Sequence, residues 1–425
     1  MKVFKFGGAS IKNAQSVKNL GPLLAAYAPK QLVVVVSAMG KTTNTLEKIL
    51  HSWYNRDEHV AELVRENENF HCRILSELFP DRHCSVYAKI DHYFQQIQNA
   101  VSKEPSANID FEYDQLVCFG ELISTTIIAE YLQQEGFYCD WMDARDLIVT
   151  DQTWREGNVN WEKTSQNIRK NISARFSQNG KQQIILTQGF LGGTDDGHTT
   201  TLGREGSDYT AAIFSYVLNV EEMIVWKDVP GVLNADPKIF SDTVLLKNID
   251  YGEAIELTYY GATVIHPKTI KPLQNSKIPL RVRSFIEPDS VGTLISEAAE
   301  AEHKTPSYIV KDNQMMISFF PKDFSFIAEQ NLSNIFAAFA TLGIRVNMMQ
   351  NSAVSFTACV TQNERKIASL FKLLEHDFKI KYNDGLQLIT IRHWTPEIFE
   401  KMITGKEILL EQRNRTTAQI VFVKQ

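Results

Sequence analysis

Residues 31–38 read QLVVVVSA, a run in which apolar side chains occupy successive positions instead of alternate ones. Neighbouring side chains on a strand point to opposite faces, so such a strand has no face for water and belongs inside a sheet covered on both sides. Sheets of that kind are parallel, and each parallel connection needs a crossover, usually a helix. The rest of the first 297 residues fits this demand. KVFKF at 2–6 reads as a strand, with a helical stretch over 14–27 between it and the valine run. FYCDWMDA, QQIILTQGF, EEMIVWKDV and PLRVRSF give further strands, with helical patterns such as 120–134 and 207–218 between several of them. Residues 43–102 are rich in helix formers and lack glycine, and read as a helical excursion from the sheet. The expected fold class is α/β, a sandwich of helices on a parallel sheet.

A chain of 425 residues exceeds one ordinary core, which implies more than one domain. Small, charged and turn residues at EAAEAEHKTPS, 297–307, interrupt the pattern and read as a linker, dividing the chain into 1–297 and 305–425. Beyond it the sequence is a weak twofold repeat. MMISFF, a helical stretch and IRVNMMQNSAVSFTACV are echoed by QLITIRH, a short helix and KEILLEQRNRTTAQIVFV. Each copy reads as a strand, a helix and two strands joined by a polar turn, and ERKIASLFKLLEHDFKIKY adds a helix and strand after the first copy. The formal charge of -6 offers no electrostatic reason to expect nucleic acid. Five scattered cysteines without a CxxC pair suggest neither a disulfide framework nor a zinc site, and fit a reducing cytoplasm. MKVFKFGGAS enters directly into strand-like alternation, and no run of about 18 apolar residues is evident, so no membrane association is expected.

Several polar segments sit where open α/β sheets place ligands, after the strands. KFGGAS brings Lys5 to a strand end followed by Gly7 and Gly8, a pairing that suits a phosphate or transferred phosphoryl group, or else an ordinary turn. No GxxxxGK[ST] loop is present. SAMGKTTN carries Ser37, Lys41, Thr42 and Thr43, with a helix capped by Thr43 as the alternative reading. FGELIST places Glu121 at a helix start, where it either gains from the helix dipole or receives a substrate ammonium. TTTLGREGSDYTAA combines Gly203, Arg204, Gly206 and Asp208 ahead of an apolar helix that Ser207 or Asp208 is expected to cap. The same segment offers free amides and a guanidinium to an anion. VWKDVPGVLNADPK carries Lys227 and Asp228 and then turns through Pro230 and Gly231, a loop suited to nucleotide contacts or a long structured turn. His266 precedes Pro267 and reads as structural. Together, Lys5, Arg204 and Lys227 offset phosphate charge while Asp208 orients a lysine or a Mg²⁺ ion, and no nucleophile paired with a histidine is evident. The expected chemistry is direct phosphoryl transfer.

In their order and spacing these motifs, with GATVIHPKT, resemble the aspartate kinases of the amino-acid kinase family. The likeness runs over nearly the whole chain, and the C-terminal repeat resembles that family's tandem, ferredoxin-like ACT modules. The resemblance implies a catalytic domain over 1–297 with a helical insertion and an ACT regulatory region over 305–425. It implies ATP-dependent phosphorylation, with Mg²⁺, of the L-aspartate β-carboxylate. It assigns Lys5 to the transferring phosphoryl group, Gly7 and Gly8 to an amide cradle, and Asp208 to holding the lysine. Glu121 would meet the substrate ammonium and Arg204 its α-carboxylate, with Ser37 and Thr43 in the same pocket. Lys227, Asp228, Gly231, Leu233, Asp236 and Lys238 fall on the ATP side. Thr263 stands where many members carry lysine, and Lys227 is expected to restore that charge. Leu233 replaces a frequent aromatic and Lys238 a frequent arginine. In the regulatory part, Val346, Asn347, Asn351 and Ser352 lie in the effector-binding turn. Asn347 and Ala353 stand where lysine-sensitive members carry acids, so the effector, lysine or threonine, stays open. Paired modules imply a homodimer or higher oligomer.

Overall fold

Leu32 through Val36 are at most 1% exposed, as expected of a strand without a wet face. The computed structural model describes residues 1–176, 183–262, 265–297, 305–323 and 325–424. The chain divides into two units, the first taking 1–232, 245–255 and 264–301 and the second 233–244, 256–263 and 302–425.

The first unit opens with β1 (Lys2–Phe6), α1 (Ala14–Lys18), α2 (Leu20–Tyr27) and β2 (Gln31–Val36). The single helix expected over 14–27 is thus two, meeting at Asn19. The helical excursion follows as α3 (Thr42–Tyr54), α4 (Val60–Leu78) and α5 (Ser85–Val101), and beyond it come α6 (Ile109–Val117) and α7 (Phe119–Gln134). Lys41, not Thr43, stands at the N-cap of α3, and the Thr42 hydroxyl donates to the Met39 carbonyl at 2.7 Å. The stretch Ile109–Gln134 is long and apolar enough by length and composition to cross a membrane, contrary to the reading of the sequence, but 83% of its apolar window is buried. A helix packed on all sides reads as apolar all round.

Next come β3 (Cys139–Met142), α8 (Ala144–Leu147), α9 (Trp161–Phe176), β4 (Gln183–Gln188), and a small antiparallel pair, β5 (Leu191–Gly193) and β6 (Thr199–Thr201). They are followed by α10 (Gly206–Leu218), β7 (Glu222–Lys227), β8 (Asn248–Ile249), α11 (Tyr251–Tyr260), α12 (Pro267–Asn275), β9 (Leu280–Ser284) and β10 (Thr293–Ile295). His266 caps α12, its ring nitrogen accepting from the Lys268 amide. The main sheet has the order β3-β4-β2-β1-β7-β9-β10-β8, parallel from β3 to β9. Phe4, Phe6 and Trp226 are fully buried beneath the helices on one face, Phe6 stacked on Trp226 at 6.2 Å.

The second unit contains β11 (Ser307–Pro321), α13 (Glu329–Thr341), β12 (Val346–Asn351), β13 (Phe356–Thr361), α14 (Glu364–Leu374), β14 (Phe378–Arg392), α15 (Pro396–Ile403), β15 (Ile408–Arg413) and β16 (Thr417–Val423). Its strands form one sheet, β12-β13-β11-β14-β16-β15. FKIKY and QLITIRH, which read as separate strands, are one strand, β14, paired with an equally long β11. Two repeats share these strands, with register shifts near Gln314 where one copy passes to the other. Separate aromatic and aliphatic cores, around Phe319 and Phe339 and around Ile391 and Phe399, lie under the two halves. Residues 233–244 join this unit because the Asn234 carbonyl accepts from Tyr308 N–H at 2.7 Å, and Phe240 stacks on Tyr308 at 5.3 Å. Residues 298–304 of the expected linker, and Thr263, lie outside the described residues.

Candidate active site

Lys5 of β1 is in register with Val35 of β2 and Val225 of β7, so these three parallel strands end at one edge of the sheet. The chain order reverses at β1, the topological position at which such sheets hold ligands. The loop after β2 is drawn against the one after β1, where Gly40 N–H donates to the Gly8 carbonyl at 3.0 Å. A β-carbon on Gly8 would lie 2.6 Å from the Ala38 carbonyl oxygen, so only glycine permits this approach. A cavity of about 490 Å³ opens at this edge. Lys5, Ser37, Thr43, Glu121, Arg204, Asp208 and Lys227, all singled out from the sequence, line it.

Asp208, in the first turn of α10, is buried between two ammonium groups, with Lys5 Nζ at 2.7 Å from one carboxylate oxygen and Lys227 Nζ at 4.0 Å from the other. Burial works to raise this carboxyl, but the Lys5 charge, then Lys227, outweighs it and holds Asp208 below the usual carboxylate range. Neither Ser207 nor Asp208 caps the helix. Glu205 occupies the N-cap in a left-handed conformation and makes no side-chain cap bond, which leaves both residues inside the helix.

Glu121 is 2% exposed in the first turn of α7. One carboxylate oxygen accepts from Ala38 N–H at 3.1 Å, and the other is buried without a hydrogen-bond partner among the described residues. Burial pushes its carboxyl up to about 8 against the opposing pull of the Ala38 amide and the Lys5 charge. Desolvation therefore outweighs the helix dipole that the sequence suggested would stabilise it. Arg204 is exposed and makes no ion pair among the described residues.

The cavity also takes Tyr113, Arg155, Glu156, Phe190, Gly203, Glu205, Gly206 and Ser207, none of them selected as site residues from the sequence. Arg155 lies over the Tyr113 ring at 4.0 Å and pairs with Asp110 at 3.1 Å. Its backbone amide donates to the buried Asp114, which also accepts from the Thr201 hydroxyl. Nothing in TWREGN signals this role, whereas Glu205 lay within a quoted motif. Gly7 and Gly8, which follow β1, lie outside the cavity lining, as do the exposed Asp228 and the buried Gly231, which follow β7. Leu233, Asp236 and Lys238 belong to the segment 233–244 of the second unit, where Asp236 accepts from the Lys238 amide.

In the second unit, Val346, Asn347 and Asn351 lie on β12, and Ser352 begins the turn to β13. The Asn347 side chain is already engaged. It accepts from Lys311 Nζ at 2.8 Å and donates to Gln314 and Thr361 at 2.8 and 3.0 Å.

The amino acid kinase family model matches residues 1–284. Chloroplastic aspartokinase 1 of Arabidopsis thaliana is 32% identical over 363 residues, covering 84% of this chain and 62% of that protein. The chloroplastic bifunctional aspartokinase/homoserine dehydrogenase 1 of the same plant is 28% identical over 387 residues, 89% of this chain and 42% of that one. The chain spans less than two thirds of the length of either relative. Aspartokinase III of E. coli, solved with aspartate and ADP, has a TM-score of 0.84 at 23% identity and covers 100% of this chain and 96% of its own. That likeness is one of fold, and it extends over both the α/β part and the sheet-rich C-terminal part.

Proposed function

The chain belongs to the amino acid kinase family, and from that premise we propose that it is an aspartate kinase, transferring the γ-phosphoryl group of ATP to the β-carboxylate of L-aspartate. The observation that carries this reading is the charge pattern of one cavity. Among the described residues, a buried carboxylate with an unpartnered oxygen, Glu121, and a guanidinium without an ion pair, Arg204, line the same space as the Lys5–Asp208–Lys227 cluster. The first two match the ammonium and α-carboxylate of an amino acid, and the cluster matches phosphate. The likeness to a fold solved with aspartate and ADP supports both assignments.

In the reaction an oxygen of the substrate β-carboxylate forms a bond to the γ-phosphorus as the bond from that phosphorus to the β–γ bridging oxygen breaks, and ADP leaves. The carboxylate is already ionised near neutral pH, so no side chain has to remove a proton. Asp208 keeps the Lys5 ammonium at a fixed place, so that its charge meets the phosphoryl oxygens without reorganisation. Glu121 and Arg204 hold the two α-substituents and leave the β-carboxylate as the free end. The cavity wall fits a magnesium ion, because Glu205 keeps a carboxylate oxygen without a hydrogen-bond partner among the described residues, a hard donor of the kind Mg²⁺ takes. When bound, the ion supplies neutralisation of phosphate charge.

The regulatory reading rests on the second unit. An amino-acid effector, lysine or threonine, is assigned to the turn of Val346, Asn347, Asn351 and Ser352, and the protein to a cytoplasmic homodimer or higher oligomer. Asn347 offers no charge to a cationic effector, and binding there must displace its bonds to Lys311, Gln314 and Thr361. The test is formation of acyl phosphate from ATP, Mg²⁺ and L-aspartate, trapped as the hydroxamate, beside L-glutamate and a no-acceptor control, with lysine or threonine added separately. Aspartate-dependent product is expected. Product with glutamate alone, or none from folded protein, overturns the assignment.

A further inference from the structure

We propose that Glu205 is a cation-facing carboxylate on the nucleotide side of the cavity, and that it makes the site admit a nucleotide as its divalent-cation complex in preference to the free anion. The inference rests on the nucleotide reading above and adds to it a residue and a selectivity.

Glu205 lies between Arg204 and Gly206 at φ 54°, ψ 30°. A β-carbon disfavours this left-handed conformation, and glycine adopts it freely. Arg155 at φ 66° and Phe190 at φ 70° are in the same condition and line the same cavity. Three of the six such non-glycine residues described in the first unit therefore line this one cavity, and residues held in sparsely populated backbone conformations cluster at functional sites. The side chain gains nothing evident in return. Its Oε2 is buried without a hydrogen-bond partner, and among the described residues neither Arg204 nor Arg155 pairs with it. A buried carboxylate oxygen left in this way calls for a positive ligand.

Its place says which ligand. Glu205 immediately precedes the first turn of α10, a helix of 13 residues whose N-terminal amides favour an anion. A carboxylate at the same point repels a bare polyphosphate. A divalent cation satisfies both, since Mg²⁺ binds through one or two carboxylates together with phosphate oxygens. The neighbouring Asp208 is committed to Lys5 and Lys227, and Glu121 stands apart on α7, where the substrate ammonium is assigned. Of the two remaining carboxylates of the lining, Glu156 and Glu205, it is Glu205 that has a buried oxygen without a hydrogen-bond partner among the described residues, which assigns it to the metal.

The experiment is calorimetric titration of ADP into wild type, E205Q and E205G, each with Mg²⁺ and with EDTA, alongside Mn²⁺ binding followed by electron paramagnetic resonance. Melting curves establish that each variant is folded, and glycine at this position relieves the backbone. Wild type is expected to bind Mg-ADP at least tenfold more tightly than free ADP. Both variants should narrow that ratio at least tenfold, chiefly by binding free ADP better, and should hold less Mn²⁺ in the presence of ADP. An equal metal dependence in all three proteins, or no metal dependence in wild type, overturns the inference alone. Failure of wild type to bind ADP in either form overturns the nucleotide reading beneath it.

Discussion

Replacing Glu121 with glutamine separates the site's function from its cost to the fold. The carboxyl is held at about 8 in the folded protein against an ordinary value of 4.5, because burial disfavours its charge. A group raised on folding contributes stability that is complete below the unfolded pKa and is lost as pH climbs through the folded one. Between pH 5 and pH 8 the unfolded chain has largely lost this proton while the folded chain retains much of it. At about 1.36 kcal/mol per unit, the wild type loses about 3 kcal/mol relative to E121Q over that range. Denaturant melts of both proteins without substrate, at pH 5, 6, 7 and 8, measure the difference directly. The same group sets substrate affinity with the opposite dependence. An ammonium favours the ionised carboxylate, so aspartate binding releases a proton below pH 8, and its KM should fall by up to about tenfold per pH unit between pH 6 and 8 before levelling. Loss of a charge-assisted bond raises the E121Q KM by about 10- to 100-fold and removes the pH dependence. Parallel stability curves for the two proteins, or the same KM slope in both, would refute the reasoning.

Three further outcomes follow from the same structure. Lys5→Met removes the nearer of the two cations beside Asp208, and kcat in the hydroxamate assay should fall by about 10²-fold or more, with a smaller change in the KM for aspartate. Lys227→Ala leaves Asp208 paired with Lys5 but lowers the positive charge on the phosphate side. ATP affinity and turnover should drop by about tenfold, and normal values for both would show that Lys227 does not supply the missing cation. His71 is fully buried on α4, and burial lowers its pKa from 6.5 to about 4. Its contribution is present above pH 6.5 and is lost as pH falls through about 4, a loss of about 3 kcal/mol that melts of wild type and His71→Phe at pH 7 and pH 4 should resolve.

How much of this was legible in the chain depends on whether the signal was local. The valine run, the strand that carries Lys5 and the helix after GREGSD are written in periodicity over a few residues. They predicted β2, β1 and α10 within a residue or two. The division of the tail into short strands failed at β14, because a long strand and two shorter ones share one local pattern and only the pairing with β11 joins them. The same limit hid Arg155, whose place on the cavity wall depends on Asp110, Tyr113 and Asp114, more than 40 positions away.

From the sequence alone came the residue types at the strand ends, and so the kind of chemistry: two lysines, an arginine and two carboxylates spread between positions 5 and 227. Tertiary structure decided their states. Asp208 stays ionised because β1 and β7 bring lysines to it, whereas Glu121, an acid in the first turn of a helix just as Asp208 is, has its pKa raised because burial outweighs the Ala38 amide and the Lys5 charge. Charge in a protein interior is set by what surrounds a group within a few ångströms, and chain neighbours supply only part of that surrounding.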